Sequence, residues 1–141
     1  MSDFKVTSYV PKAIKANATG TKKGMITTAI NVTSQAKSLA DFQEGYQTGQ
    51  TRGSIMWKAG WGEEGGHEKG PKLYGAIKGL IVRVGSAVLH SVYLEYGTRK
   101  MAAQPFMRPA IATVTAGQNA VKAMREAMQD SVRVALGIDK L

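Results

Sequence analysis

Residues 93–110 constrain the fold more than any other part of the chain. Pro105 and Pro109 bracket Phe106, Met107 and Arg108. Each proline fixes its own φ and pushes the residue before it out of the helical region. Pro109 also suits the first turn of a helix, where a missing N–H costs nothing. Upstream, Val92 and Leu94 alternate with Tyr93 and Glu95, the period of a half-buried strand, and Gly97 and Thr98 stop it. The pattern predicts a strand over residues 89–96, a glycine turn, a polar loop, and a stiff Pro-Phe-x-Arg-Pro clamp that opens a helix. A loop held this way serves placement of side chains rather than chemistry.

The helices around it are read from their apolar period. Residues 11–42 carry Met25/Ile26, Ala29/Ile30, Thr33, Ala36 and Leu39/Ala40 at three- and four-residue spacing, which predicts a helix with an Ala- and Thr-rich face able to lie close on a sheet. Gly20 and Gly24 each weaken such a helix by roughly 1 kcal/mol relative to Ala, so a break or fraying is expected over residues 19–23. Residues 109–136 form the strongest helical stripe, through Ile111, Val114, Val121, Met124, Met128, Val132, Ala135 and Leu136, with Gly137 as its stop. One continuous helix is expected there.

Between these helices lie short extended segments. Residues 44–53 read as a polar loop, 54–58 as a strand with Ile55 and Trp57 on one face, and 73–84 as a second strand. Residues 59–71 hold Gly60, Gly62, Gly65, Gly66 and Gly70 among charged residues, the composition of a flexible loop. Strands adjacent in sequence with no helix between them predict an antiparallel meander. The expected fold class is therefore α+β: an N-terminal helix, a small antiparallel sheet of three to four strands, and a long C-terminal helix packed on the sheet. Residues 1–141 fit one domain, with a basic N-terminal arm over residues 1–10 and the Gly-rich loop over 59–71.

Composition narrows the function. The chain has no cysteine, so thiol catalysis, disulfides and thiolate metal sites are excluded. No apolar run approaches the ~20 residues of a membrane span, and no membrane partner is expected. A net charge of +9, from 19 Lys and Arg against 10 Asp and Glu, favours acidic partners, either nucleic acid or an acidic protein surface. Lys12, Lys15, Lys22 and Lys23 form a basic cluster in the first helix: a solvated face, or an arm that docks on an acidic neighbour or on DNA. Gly60-Trp61-Gly62-Glu63-Glu64-Gly65 fits a dinucleotide fingerprint by letters alone, because no helix start follows it and Glu63 and Glu64 repel phosphate. Glu63, Glu64, His67 and Glu68 have no recognised metal-ligand spacing, and His90 stands alone among apolar residues. Glu95 has no second carboxylate or nucleophile–base pair beside it, and a salt bridge to Arg99 or Arg108, within or between subunits, is the expected role. The reading is a non-enzymatic protein with no cofactor, no metal and no small-molecule substrate.

Glu95-Tyr96-Gly97-Thr98, then Met101, then Gln104-Pro105-Phe106-x-Arg108-Pro109-Ala110, resembles the signature of a neck and tail-component family of long-tailed phages and prophages. Thr48-Gly49-x-x-Arg52-x-Ser54-Ile55 is similar to a second family motif, with Thr51 where a Leu is usual. The resemblance spans residues 29–136. It implies a structural protein of the head–tail junction, in the virion and, during assembly, in the bacterial cytoplasm. It also implies a homo-oligomeric ring around the DNA channel that touches adjacent neck and tail proteins, whether connector or head-closure proteins, tail terminator or tail tube, with non-specific contact to passing DNA. Glu95, Tyr96, Gly97, Thr98, Arg99, Gln104, Pro105, Phe106, Arg108 and Pro109 are the expected assembly surface. Phe106 has a competing role as a plug of its own subunit's core. The alternatives are a tail terminator capping the tail tube and a basic, non-specific nucleic-acid-binding module.

Overall fold

The structure, a computed structural model, describes residues 10–40, 49–117 and 119–137. Its elements run α1 (Val10–Leu39), α2 (Gln50–Ser54), β1 (Met56–Ala59), β2 (Glu64–Gly65), β3 (Val82–Gly85), α3 (His90–Tyr96), α4 (Met107–Ala116) and α5 (Asn119–Leu136). The fold is α+β, with a three-stranded antiparallel sheet and helices from both ends of the chain gathered against it. The basic arm expected over residues 1–10 falls almost wholly outside the described residues, as do residues 44–48 of the expected polar loop.

The sheet is ordered β2-β1-β3, both pairings antiparallel. Trp57 faces Gly65 on one side and Val84 on the other. A meander would place the second strand in the middle; here β1 is central, because β2 returns at once through a tight hairpin and β3 arrives on β1's other edge. The second strand is also shorter than the pattern of 73–84 suggests. Gly75 and Gly79 sit at φ 92° and 95°, which breaks the extended run, and pairing starts only at Val82. The first strand begins two residues later than expected, since residues 50–54 coil into α2 rather than a loop.

Helix α1 lies across the sheet on the face that the sequence marks. Ala29, Val32, Thr33, Ala36 and Ala40 are buried, and small side chains at these positions let the helix sit close. Two apolar clusters result. Ala29 packs with Trp57 and Ala59, and Ala36 and Ala40 pack with Ile55, Leu94, Phe106 and Ala110.

Three further expectations are corrected. Residues 89–96 hold no strand: His90–Tyr96 is helical, and its buried residues Ser91, Leu94 and Glu95 are spaced for one helix face. Val92 and Leu94, two residues apart, fall on opposite sides of the helix, one exposed and one buried, so the strand period fails and the burial of Glu95 against α4 fits the helical one. The C-terminal helix is not continuous, since α4 ends at Ala116 with Gly117 as its cap residue and α5 begins at Asn119. Finally, α1 runs unbroken through Gly20 and Gly24. A Cβ on Gly20 would lie 2.6 Å from the Met128 Cα, and one on Gly24 would lie 2.5 Å from the Met124 Cα. The glycines are a notch that seats the backbone of α5, and that contact offsets their low helix propensity.

Candidate functional site

The segment from α3 to α4 is wired around one carboxylate. Glu95, 6% exposed, stands at the end of α3 and points at the start of α4. Its Oε2 accepts the backbone N–H groups of Phe106 at 2.8 Å and Met107 at 2.9 Å, and its Oε1 accepts that of Arg108 at 3.0 Å. Pro109 has no N–H, and Ala110 N donates to Phe106 O, the first bond of the helix itself. Every backbone donor of the first turn is thereby satisfied, and a negative charge sits where the helix dipole is positive. The Arg108 Nε adds a fourth bond to Oε1 at 3.1 Å, and its guanidinium also donates to the Glu95 carbonyl at 2.9 Å. Burial is the largest single influence on Glu95 and opposes ionisation. The N–H groups of Met107, Phe106 and Arg108, together with the Arg108 side chain, outweigh it and hold the carboxyl below its ordinary value of 4.5.

The turn between the two helices is as constrained. Gly97 caps α3 at φ 76°, and a Cβ there would come within 2.8 Å of Ala103 N and 2.9 Å of Met101 O. Thr98 and Met101 bond each other through both backbone groups, and Gln104 N donates to Leu94 O at 2.7 Å. The motif's Glu, Gly, Thr, Met, Gln and Pro positions are thus parts of a single intramolecular brace. Phe106 belongs to it too. At 1% exposure it is among the largest fully buried side chains and fills the core between α1, Ile55 and Leu94. Its expected place on an assembly surface is corrected: it is a core plug, held inward by the N–H bonds that fix its backbone.

What the brace presents to solvent is the outer face of α3. Leu89 is 75% exposed, Val92 52%, Tyr93 49% and Tyr96 67%. These four, at i, i+3, i+4 and i+7, form one apolar stripe on one helix face. Arg99, Lys100 and Arg108 are exposed beside it, and the Arg108 guanidinium lies over the Tyr96 ring at 4.8 Å. Leu89, Val92 and Tyr93 were missed by the sequence reading because a strand would send them to alternate faces. Pro105 is exposed, and Thr98 and Arg99 lie at the turn.

The second motif is also internal. Gly49, at φ 65°, starts α2; Ser54 Oγ donates to Thr51 O and bonds Ser86 Oγ; and Gly53 O receives the N–H groups of Glu68 and Lys69. Those last bonds, with the ion pair and hydrogen bond from Lys37 to Glu68, tie the far end of the Gly-rich segment to the body. Thr48 lies outside the described residues.

Lys12, Lys15 and Lys23 project from one face of α1 together with Lys22, whose ammonium lies 5.5 Å from the Trp61 ring. They are far in sequence and in element from the α3 stripe. Among the described residues no group of three or more His, Asp and Glu is placed to hold a metal ion, and no helix is long and apolar enough to cross a membrane. Glu95, with four donors on its two oxygens, is spent on structure. No protein-family model, curated protein or solved structure matches this chain.

Proposed function

We propose that the chain is a structural component of the head–tail junction of a long-tailed phage, a neck or tail-completion protein that assembles into a ring. The outer face of α3 is its main contact. The observation that carries this reading is the exposed stripe of Leu89, Val92, Tyr93 and Tyr96 on a helix locked at its end by Glu95. A preformed apolar face loses little conformational freedom when it docks, and burying each such side chain contributes on the order of 1–2 kcal/mol. The motif residues that resemble the phage family make the brace that holds this face. They support assembly through α3 rather than by direct contact of Phe106. A tail terminator is the near alternative, and it uses the same face. The lysines of α1 favour an added, sequence-independent contact with channel DNA, since Lys12, Lys15, Lys22 and Lys23 are exposed on one helix face.

Mass measurement of the purified protein, alone and mixed with virion neck components, tests the proposal. Wild type gives a closed oligomer in one of these conditions, and Leu89→Asp with Tyr93→Asp gives a folded monomer of unchanged melting temperature. A wild type that stays monomeric in both conditions, or a double variant that assembles like wild type, refutes it.

A further inference from the structure

The Gly20/Gly24 notch has a consequence on the flank of α5. The Cα atoms of Met124 and Met128 sit directly over the two glycines, and Met124 Cβ and Cγ also lie in the notch, 3.2 and 3.0 Å from a Cβ placed on Gly24. With Val121 and Val132 the two methionines floor a groove of about 700 Å³. Asn17 of α1 forms one wall, and Arg125, Gln129 and Arg133 form the rim. Among the described residues that line it there is no carboxylate.

We propose that this groove binds an acidic amphipathic helix of another protein. Its floor is apolar over residues 121–132, about 17 Å or three helical turns, and it is surfaced by two methionines, which adapt to varied side chains. Such a floor matches the i, i+3, i+4, i+7 anchors of a docked helix. Arg125 and Arg133 are on one side of it and about 12 Å apart along the axis, so a partner offers two carboxylates about two turns apart. Charge decides the occupant. A second copy would bring its own arginine rim against this one, on a chain of net charge +9. A nucleic acid would satisfy the arginines but leave the apolar floor uncovered. An acidic helix satisfies both. The groove shares no residue with the α3 surface, and all of its described lining belongs to one protomer.

The test uses a fluorescent, amidated peptide of about 16 residues with leucines at the anchor positions and two glutamates eight residues apart, and its twin with lysines for the glutamates. Anisotropy titration of the full chain is expected to give saturable, salt-sensitive binding of the glutamate peptide and at least about tenfold weaker binding of the lysine peptide. Both arginines are exposed, so R125E with R133E keeps the melting temperature and reverses the preference. Equal affinity for the two peptides, no saturable binding, or binding indifferent to the charge reversal overturns the proposal. So does a wild-type dimer, seen by sedimentation, that R125E with R133E strengthens, since that assigns the groove to a second copy.

Discussion

Arg108 meets Glu95 through three of its nitrogens: the backbone N–H at 3.0 Å and Nε at 3.1 Å both reach Oε1, while the guanidinium tip reaches the Glu95 carbonyl at 2.9 Å. The pair fastens the end of α3 to the start of α4. Glu95→Gln replaces one acceptor oxygen by an NH₂ group aimed at backbone donors. It is expected to lower unfolding free energy by about 2–3 kcal/mol, the cost of leaving buried donors unsatisfied. Urea denaturation at neutral pH measures it, and a loss under ~0.5 kcal/mol contradicts the cap.

The same carboxylate sets a pH dependence. Its pKa is lowered on folding, so its contribution is complete above the unfolded value near 4.5 and is lost as pH falls through the lower folded value. The stability gap between wild type and Glu95→Gln is therefore widest above pH 4.5 and closes in acid. A gap that stays constant as the pH falls below 4.5 disproves the sign. Glu64 and Glu68 are also lowered, by hydrogen bonds and charge from Lys72 and Lys37, but they are exposed, and raised salt erodes their share first.

Phe106 and Arg108 part company under mutation. Phe106→Ala opens a cavity in the core and is expected to cost about 3–5 kcal/mol. Arg108→Ala removes an exposed guanidinium, costs about 1 kcal/mol, and leaves the backbone cap in place. Thermal melts of the two variants separate these outcomes. Equal losses would mean that the Arg108 side chain contributes as much here as the buried ring, against this assignment.

Gly24→Ala tests the notch. Helix propensity alone makes the change favourable by up to ~1 kcal/mol. The added Cβ meets Met124 backbone at 2.5 Å, however, and backbone cannot swing away. Net destabilisation of about 1–3 kcal/mol is expected. A stabilised variant would show that α5 does not seat on α1 there.

Replacing Lys12, Lys15, Lys22 and Lys23 by Gln is expected to leave the melting temperature nearly unchanged and to weaken binding to a DNA duplex, with a shallower dependence on salt. Filter binding at several salt concentrations gives the slope. An unchanged slope assigns the lysines to solvent alone.

The apolar period of α1 was legible because Ala29, Ala36 and Ala40 repeat at helical spacing, Ala29 against Trp57 and Ala59 of the sheet, and Ala36 and Ala40 against Ile55, Leu94, Phe106 and Ala110. The class of the fold followed. What the sequence hid were features decided at a distance. Val92 and Leu94 fit a strand locally, and the helix is chosen by a carboxylate that must reach donors eleven to thirteen residues away. Gly20 and Gly24 look like weak points until Met124 and Met128 are laid on them. The motif over residues 95–110 reads as stiff in the sequence, and in the fold that stiffness faces inward. The surface it serves, Leu89 to Tyr96, carried its own i, i+3, i+4, i+7 signal, which a strand assignment concealed.

The seating of Met128 on Gly20 also orders events at the ribosome. The first half of α1 leaves the exit tunnel long before α5 is made. At roughly 5–20 residues per second the wait is on the order of 5–20 s. For that interval the glycine notch of this lysine-rich helix lacks α5, the element that covers it. Closure of the α1–α5 seam is thus a late event of synthesis, and a nascent chain stopped before Met124 exposes the notch as a mark of its incompleteness.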